Sequence, residues 1–337
     1  MAKAKRIEGI GCNAEAPAGM KLVLVTRFGE LRDFRAAALD WTDPEGVHSM
    51  RVASRRLRSA LRDFMPYLRK RRLSSVIKPL RDVADALGEV RDQDVAILAL
   101  EKLQAHSPDD VSAALKQVID ARKEIRDQAR KELEAMLEDS ELKQLEMNFT
   151  TGVGEATVEA TGRTPSPLLI TFRKMSRAII LDRLKELEKL SNGVFRPFDV
   201  ETLHEMRIAA KRLRYAIELF QQCWGRSLAT YAKRTARLQT ALGDVHDCDV
   251  WIDSFGDEIN DARKHKQNEN LTAFVWLLSH FVKLRTKHLR KAFDLWRDWE
   301  AEDTSGKLRT LLNSEPKPAR ARRKPKEESV AAVVEIV

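Results

Sequence analysis

Residues 47–64, VHSMRVASRRLRSALRDF, return at 203–220 as LHEMRIAAKRLRYAIELF, with nine of eighteen positions identical. Farther along, ALGEVRDQDV at 86–95 returns as ALGDVHDCDV at 241–250, seven of ten identical. The first offset is 156 residues and the second 155. Two matches in the same order, one residue out of step, mark duplication of a unit of about 150 residues. Whatever fold the chain adopts, it must adopt it in two like halves.

Both halves read as helix. Long stretches rich in Ala, Leu, Glu, Lys and Arg carry apolar residues at helical spacing. Only 14 Gly and 11 Pro serve 337 residues, too few turn-makers for a many-stranded β architecture. The expectation is an all-α protein. Residues 1–20 read as a disordered N-terminal segment, 21–147 as the first repeat and 168–300 as the second. Between them 148–167, NFTTGVGEATVEATGRTPSP, is broken by Gly, Thr and Pro and reads as a linker. The end, 301–337, reads as a basic disordered tail. Cys12, Cys223 and Cys248 have no metal-type spacing, and their odd number suits a reducing compartment without a disulfide framework. No apolar run approaches the ~20 residues of a spanning helix, and the start lacks a signal-peptide core. A soluble cytoplasmic protein without membrane contact is expected.

The net charge is +9. Residues 315–337 account for +2 and the first twenty for +1, which leaves +6 on the central region. An excess held there predicts an anionic partner. With His48 set at zero on a helical wheel, Arg51, Arg55, Arg58 and Arg62 fall within an arc of about 80°. Met50, Ala53, Leu57, Ala60, Leu61 and Phe64 occupy the opposite side. The second copy repeats this with His204, Arg207, Lys211 and Arg214 against Met206, Ala209, Leu213, Ala216, Ile217 and Phe220. Asp43-Pro44 and Asp199 are the N-cap signals. Like charges at i,i+3 and i,i+4 repel, so a row of them kept in both copies points to an anion that relieves the repulsion.

Binders of single-stranded nucleic acid interleave aromatic rings with the basic residues so that bases can stack. Both stripes lack such rings: Phe64 and Phe220 lie on the apolar side, and Tyr215 occurs in one copy only. A row of phosphates without bases fits better. Arg supplies planar bidentate donors whose charge does not titrate away.

The motifs H-x-M-R-V-A-x-R-R-L-R with L-G-x-V-R-D-x-D-V, and H-x-M-R-I-A-A-K-R-L-R-Y-A-I-E with L-Q-x-x-L-G-D, resemble the two halves of a CHAD domain, the conserved-histidine α-helical domain. The resemblance covers roughly 21–300. It implies two four-helix bundles related by a pseudo-twofold axis, with a basic surface or channel that binds inorganic polyphosphate. No E-x-E-x-K motif of the associated CYTH hydrolase domain is present, so the chain resembles the stand-alone form. Position by position, the resemblance carries polyphosphate contact to His48, Arg51, Arg55 and Arg58, and to His204, Arg207, Lys211 and Arg214. Arg62 extends the first stripe, although its counterpart is Glu218, and Lys78 and Lys233 correspond on the next helix of each copy. Arg56 and Arg212 project about 80° away from the His position and read as structural ion-pair formers.

Gly88 and Gly243 look like helix-ending positions. Asp92 and Asp247 would then cap the next helix with Asp94 and Asp249 one turn inside it, or instead hold the stripe arginines by salt bridges. The expected function is non-enzymatic polyphosphate binding without cofactor or metal, in the cytoplasm or at polyphosphate granules. A backbone-phosphate nucleic-acid binder is the alternative, with the tail as a further nucleic-acid surface. A metal-dependent phosphohydrolase using His204, His246, Asp247 and Asp249 is weaker, because Arg91 replaces His246 in the first copy and a guanidinium is no metal ligand. Bound phosphate favours charged histidine, so binding is expected to take up protons and tighten from pH 8 to pH 6.

Overall fold

The computed structural model describes residues 5, 7–157, 170–265 and 271–314, and these are almost wholly helical. The protein is all-α; among the described residues the nearest thing to a sheet is one isolated antiparallel bridge, Glu15 to Thr171. The helices form two series. The first is α1 (Ala16–Asp33), a short α2 (Arg35–Ala38), α3 (Pro44–Phe64), α4 (Ser74–Gln104), α5 (Asp109–Met136) and α6 (Asp139–Ala156). The second is α7 (Phe172–Lys189), α8 (Val200–Phe220), α9 (Arg226–His265), α10 (Leu271–Ala301) and α11 (Thr304–Asn313). Helices α1 and α7 have 18 residues each, and α3 and α8 have 21 each. Both pairs begin 156 residues apart.

The caps act where the sequence placed them. Asp43 accepts from the Glu45 amide at 2.9 Å and Asp199 from the Thr202 amide at 3.0 Å, which satisfies N–H groups the helix itself leaves open. Every apolar-face residue expected on α3 and α8 is buried. At about 1.5–3 kcal/mol for each large side chain, this burial outweighs the mutual repulsion of the arginines on the other face. The two halves meet where α3 contacts α8 and α1 contacts α7. Phe64, Phe172 and Phe220 cluster there with ring centroids 5.5 to 6.3 Å apart. Gly19 permits the approach, since a Cβ on it would lie 2.3 Å from the Phe172 ring.

A second, separate apolar cluster joins the far ends. Ile97 and Leu100 of α4 and Leu115 and Ile119 of α5 pack with Phe255 of α9 and Phe274, Leu277 and Phe281 of α10. The Arg122 guanidinium lies over the Trp251 ring at 4.7 Å in the same joint. Trp296 and Trp299 are buried and stacked at 5.9 Å.

Several boundaries differ from the sequence reading. Helices α4 and α9 run unbroken through Gly88 and Gly243. A helix-interior glycine costs only about 0.5–1 kcal/mol, less than the burial of Leu87, Val90, Leu242 and Val245 on either side contributes. Asp92 and Asp247 are therefore mid-helix residues and cap nothing. Asp94 and Asp249 also lie far from any helix start and pair with arginines of the outer helices, Asp94 with Arg130 at 3.8 Å and Asp249 with Arg285. The N-terminal segment takes part in the core: Ile7, Ala16 and Met20 are buried. Helix α6 continues through the first nine residues of the 148–167 stretch, because Phe149, Val153 and Ala156 complete its apolar face. Helix α11 occupies part of 301–337, burying Leu308 and Leu312. Residues 158–167 of the expected linker and 315–337 of the expected tail lie outside the described residues.

The cysteine reading is overturned. Cys12 and Cys223 form a disulfide with Cα atoms 5.6 Å apart across 211 residues of sequence, while Cys248 is free and buried. The N-terminal segment reaches the second half by main-chain bonds, Ala16 N–H to Ile170 O at 3.0 Å and Arg173 N–H to Cys12 O at 2.8 Å, and this brings the two thiols together. Disulfides persist in oxidising surroundings, so the cysteine count gives no argument for a reducing compartment. Among the described residues no helix is long and apolar enough to cross a membrane.

A cationic groove between the halves

An open cavity of about 660 Å³ lies among α3, α4, α8 and α9. Helix α3 turns Arg51, Arg55 and Arg58 into it, and α8 adds Arg207 and Lys211 from the other half. Helix α4 forms a facing wall with Asp85, Glu89 and Asp92, and α9 contributes His246. The two stripes predicted on separate helices thus converge on one space.

The repeated glycines have a place in this arrangement. Arg51 Nε lies 3.8 Å from where a Cβ on Gly88 would stand, and Arg207 Nε lies 3.8 Å from the same point on Gly243. Each guanidinium rests across a smooth stretch of helix. Arg51 Nη2 donates to Asp92 at 3.0 Å, and Arg58 Nη1 pairs with Asp85 at 3.5 Å. Burial works against the charge of Arg207, and nearby Asp247 and Asp92 support it. Of these, the Arg51–Asp92 pair is the kind of salt bridge that the sequence offered as the second reading of the acidic motif.

Lys211 has no such support. Burial, then the charges of Arg55, Arg207, Arg62 and Arg51, push its ammonium down to about 7. His246, half-buried beside Arg207, His204 and Lys211, is pushed down to about 4. His204 and His246 share one hydrogen bond between their Nδ1 atoms at 3.1 Å, one ring donating and the other accepting. His204 is held below the ordinary histidine range by burial, Arg207 and Lys211, and His48 by burial and Arg91.

The remaining predicted residues stand outside the cavity lining. His48 and His204 sit behind the arginines at the start of their helices. Arg62 is exposed one turn beyond Arg58 and donates to Ser59 Oγ at 3.0 Å. Lys78 is exposed and paired with Asp82 at 2.9 Å; it shares the face of Asp85, two turns or about 10 Å away. Lys233 is exposed on α9, outside the groove. Arg214 departs furthest from expectation. Its side chain is 11% exposed, pairs with Glu218 at 3.1 Å and lies over Tyr215 at 5.0 Å, on the side of α8 that meets the first half. Removing Arg214 takes the closest partner from Glu218, which is 35% exposed and still near Arg56 and Arg27. Arg214→Ala is therefore expected to cost about 1–2 kcal/mol in chemical denaturation, with its main effect on stability and not on anion affinity. Arg56 and Arg212 do form structural ion pairs, with Glu30 at 3.2 Å and Glu186 at 3.6 Å.

Sequence reasoning missed His246 and Asp85 as parts of the cavity wall. His246 carried a signal, since it occupies the repeat position of Arg91; Asp85 carried none. Among the described residues no group of three or more His, Cys, Asp or Glu is placed to hold a metal ion. Asp249 faces Arg285.

This helical scaffold has known counterparts. The CHAD domain model matches residues 23–256, and the chain belongs to that family. The crystal structure of the CHAD domain from the plant Ricinus communis superposes with a TM-score of 0.66 at 22% identity, covering 86% of this chain and 95% of that one. PptA from Streptomyces chartreusis superposes at 0.59 and 14% identity, covering 84% of this chain and all of the other. At such identities the likeness is one of fold. Two uncharacterized proteins of Mycobacterium tuberculosis, from strains H37Rv and CDC 1551, are each 28% identical over 225 residues. The match takes in 64% of this chain and 40% of the length of those relatives.

Proposed function

We propose that the groove binds inorganic polyphosphate without transforming it. One observation carries the reading: three arginines of the first half and Arg207 and Lys211 of the second line a single open cavity. A linear anion lying there meets cations from both sides at each step, and Arg forks match phosphate oxygens bidentately. Among the described residues no Phe, Tyr or Trp lines the cavity, so bases would find nothing there on which to stack. The family places the same expectation on the fold. A protein that holds polyphosphate in this way would gather at polyphosphate-rich granules in the cytoplasm.

A filter-binding titration with long-chain polyphosphate, challenged by RNA or DNA of equal total charge, tests the reading. Saturable binding that weakens steadily with the logarithm of salt and resists the nucleic acid is the expected result. Displacement one for one would make the protein a binder of backbone phosphate in general. Phosphate release that depends on Mg²⁺ or Mn²⁺ would make it an enzyme.

A further inference from the structure

The cations of the groove fall into two sets. Arg51 and Arg58 are held by Asp92 and Asp85, and Arg207 lies in the field of Asp92 and Asp247. Arg55 and Lys211, one from each half, have no carboxylate within ion-pair distance among the described residues. A polyanion in the cavity therefore lies against the α4 carboxylates as well as the arginines. Carboxylates facing a phosphate chain oppose its binding, so their use must lie in the empty groove. There Arg51, Arg55 and Arg58 are like-charge neighbours on one helix face, and Asp92 and Asp85 neutralise the two ends of that row.

We infer that Asp85 and Asp92 are displaceable internal counter-ions, released from Arg58 and Arg51 when a chain of phosphates takes their place, and that Arg55 and Lys211 form the subsite a short phosphate occupies first. This rests on the polyphosphate reading above. Both carboxylates are well exposed, with side chains 64% and 68% accessible, and can swing into water without losing a buried contact. Pyrophosphate over Arg55 and Lys211 meets no internal competitor. A long chain that also engages Arg51 and Arg58 must displace both carboxylates, which limit its affinity and keep it exchangeable.

The test is calorimetric titration of the full chain with pyrophosphate and with long-chain polyphosphate, using the wild type and the Asp85→Asn/Asp92→Asn double variant. Asparagine keeps the shape and removes the charge. Exposed pairs are worth up to about 1 kcal/mol each, so the double variant should bind the long chain roughly tenfold more tightly and change pyrophosphate affinity by less than about threefold. Unchanged or weaker long-chain binding overturns the inference, because the carboxylates would then be inert or would orient the arginines for the ligand. Equal tightening of both ligands overturns it too, since no separate subsite would exist. If the wild type binds neither anion, the polyphosphate reading itself falls; if it binds and only the variant pattern fails, that reading stands. A melt without ligand gives an independent check: the double variant should unfold at lower temperature in low salt and recover as salt screens the freed arginine row.

Discussion

Arg51/Arg55/Arg58→Ala is expected to lower affinity for long-chain polyphosphate by about a hundredfold or more, and to flatten its salt dependence. Hydrogen bonds to charged groups contribute about 1.5–3 kcal/mol each. Three such contacts exceed the 2.7 kcal/mol that a hundredfold represents, even after Asp85 and Asp92 are released from pairs the ligand no longer breaks. Fewer neutralised phosphates release fewer counter-ions, so the slope of log affinity against log salt falls by about three. All three side chains open onto the cavity, and the apolar face of α3 is untouched, so the variant should stay folded. The matching change in the other half is Arg207→Ala/Lys211→Ala. Arg214 is better left out of it, because it is buried against Glu218 and its loss would confuse affinity with stability. Filter binding at three salt concentrations measures both quantities. Retention of wild-type affinity by both variants would falsify the groove as the site.

Much of this site was legible before any coordinates. The 3.6-residue period assigns Arg51, Arg55, Arg58, Arg207 and Lys211 to polar faces, and Asp43 and Asp199 mark where those faces begin. The same arithmetic separates Arg56 and Arg212, whose offset takes them to Glu30 and Glu186. What periodicity lacks is a partner for the face it finds. Helix α8 presents Arg214 on the arc of Lys211, yet the wrap of the first half around that end of α8 buries one and leaves the other in the groove. Gly88 and Gly243 have the local signature of helix ends, and only the packing of Leu87 and Val90 with Leu242 and Val245 in the same core holds both helices continuous. The Cys12–Cys223 bridge spans 211 residues, a separation at which sequence spacing says nothing about proximity. A short helix such as α11, ten residues long, gains its order from tertiary burial, because an isolated helix of that length is marginal in water.

Binding of long-chain polyphosphate should weaken about tenfold between pH 6 and pH 8, and a lysine carries the effect where histidines were expected. In the empty groove Lys211 titrates at about 7, so it is mostly charged at pH 6 and mostly neutral at pH 8. It shares the groove with Arg51, Arg55 and Arg62 of α3, Arg207 on its own helix, Asp85, Glu89 and Asp92 of α4, and His246 of α9. Asp92 and Asp85 are turned to Arg51 and Arg58; a bound polyanion sets negative charge against Lys211 itself and lifts it toward its ordinary 10.5. Binding then takes up close to one proton at pH 8 and little at pH 6, which over two pH units amounts to about a factor of ten. His246, titrating at about 4, stays neutral through this range. Folding has the opposite sign. The empty native state holds fewer protons than the unfolded chain between about 7 and 10.5, so ligand-free stability rises with pH across that window while affinity falls. Lys211→Arg separates the contributions, since guanidinium stays charged: it should bind at pH 8 as the wild type binds at pH 6, with no proton uptake in calorimetry across buffers of different ionisation enthalpy. If Lys211→Arg keeps the full pH dependence, the proton resides elsewhere, with His48 and His204 the next groups to replace.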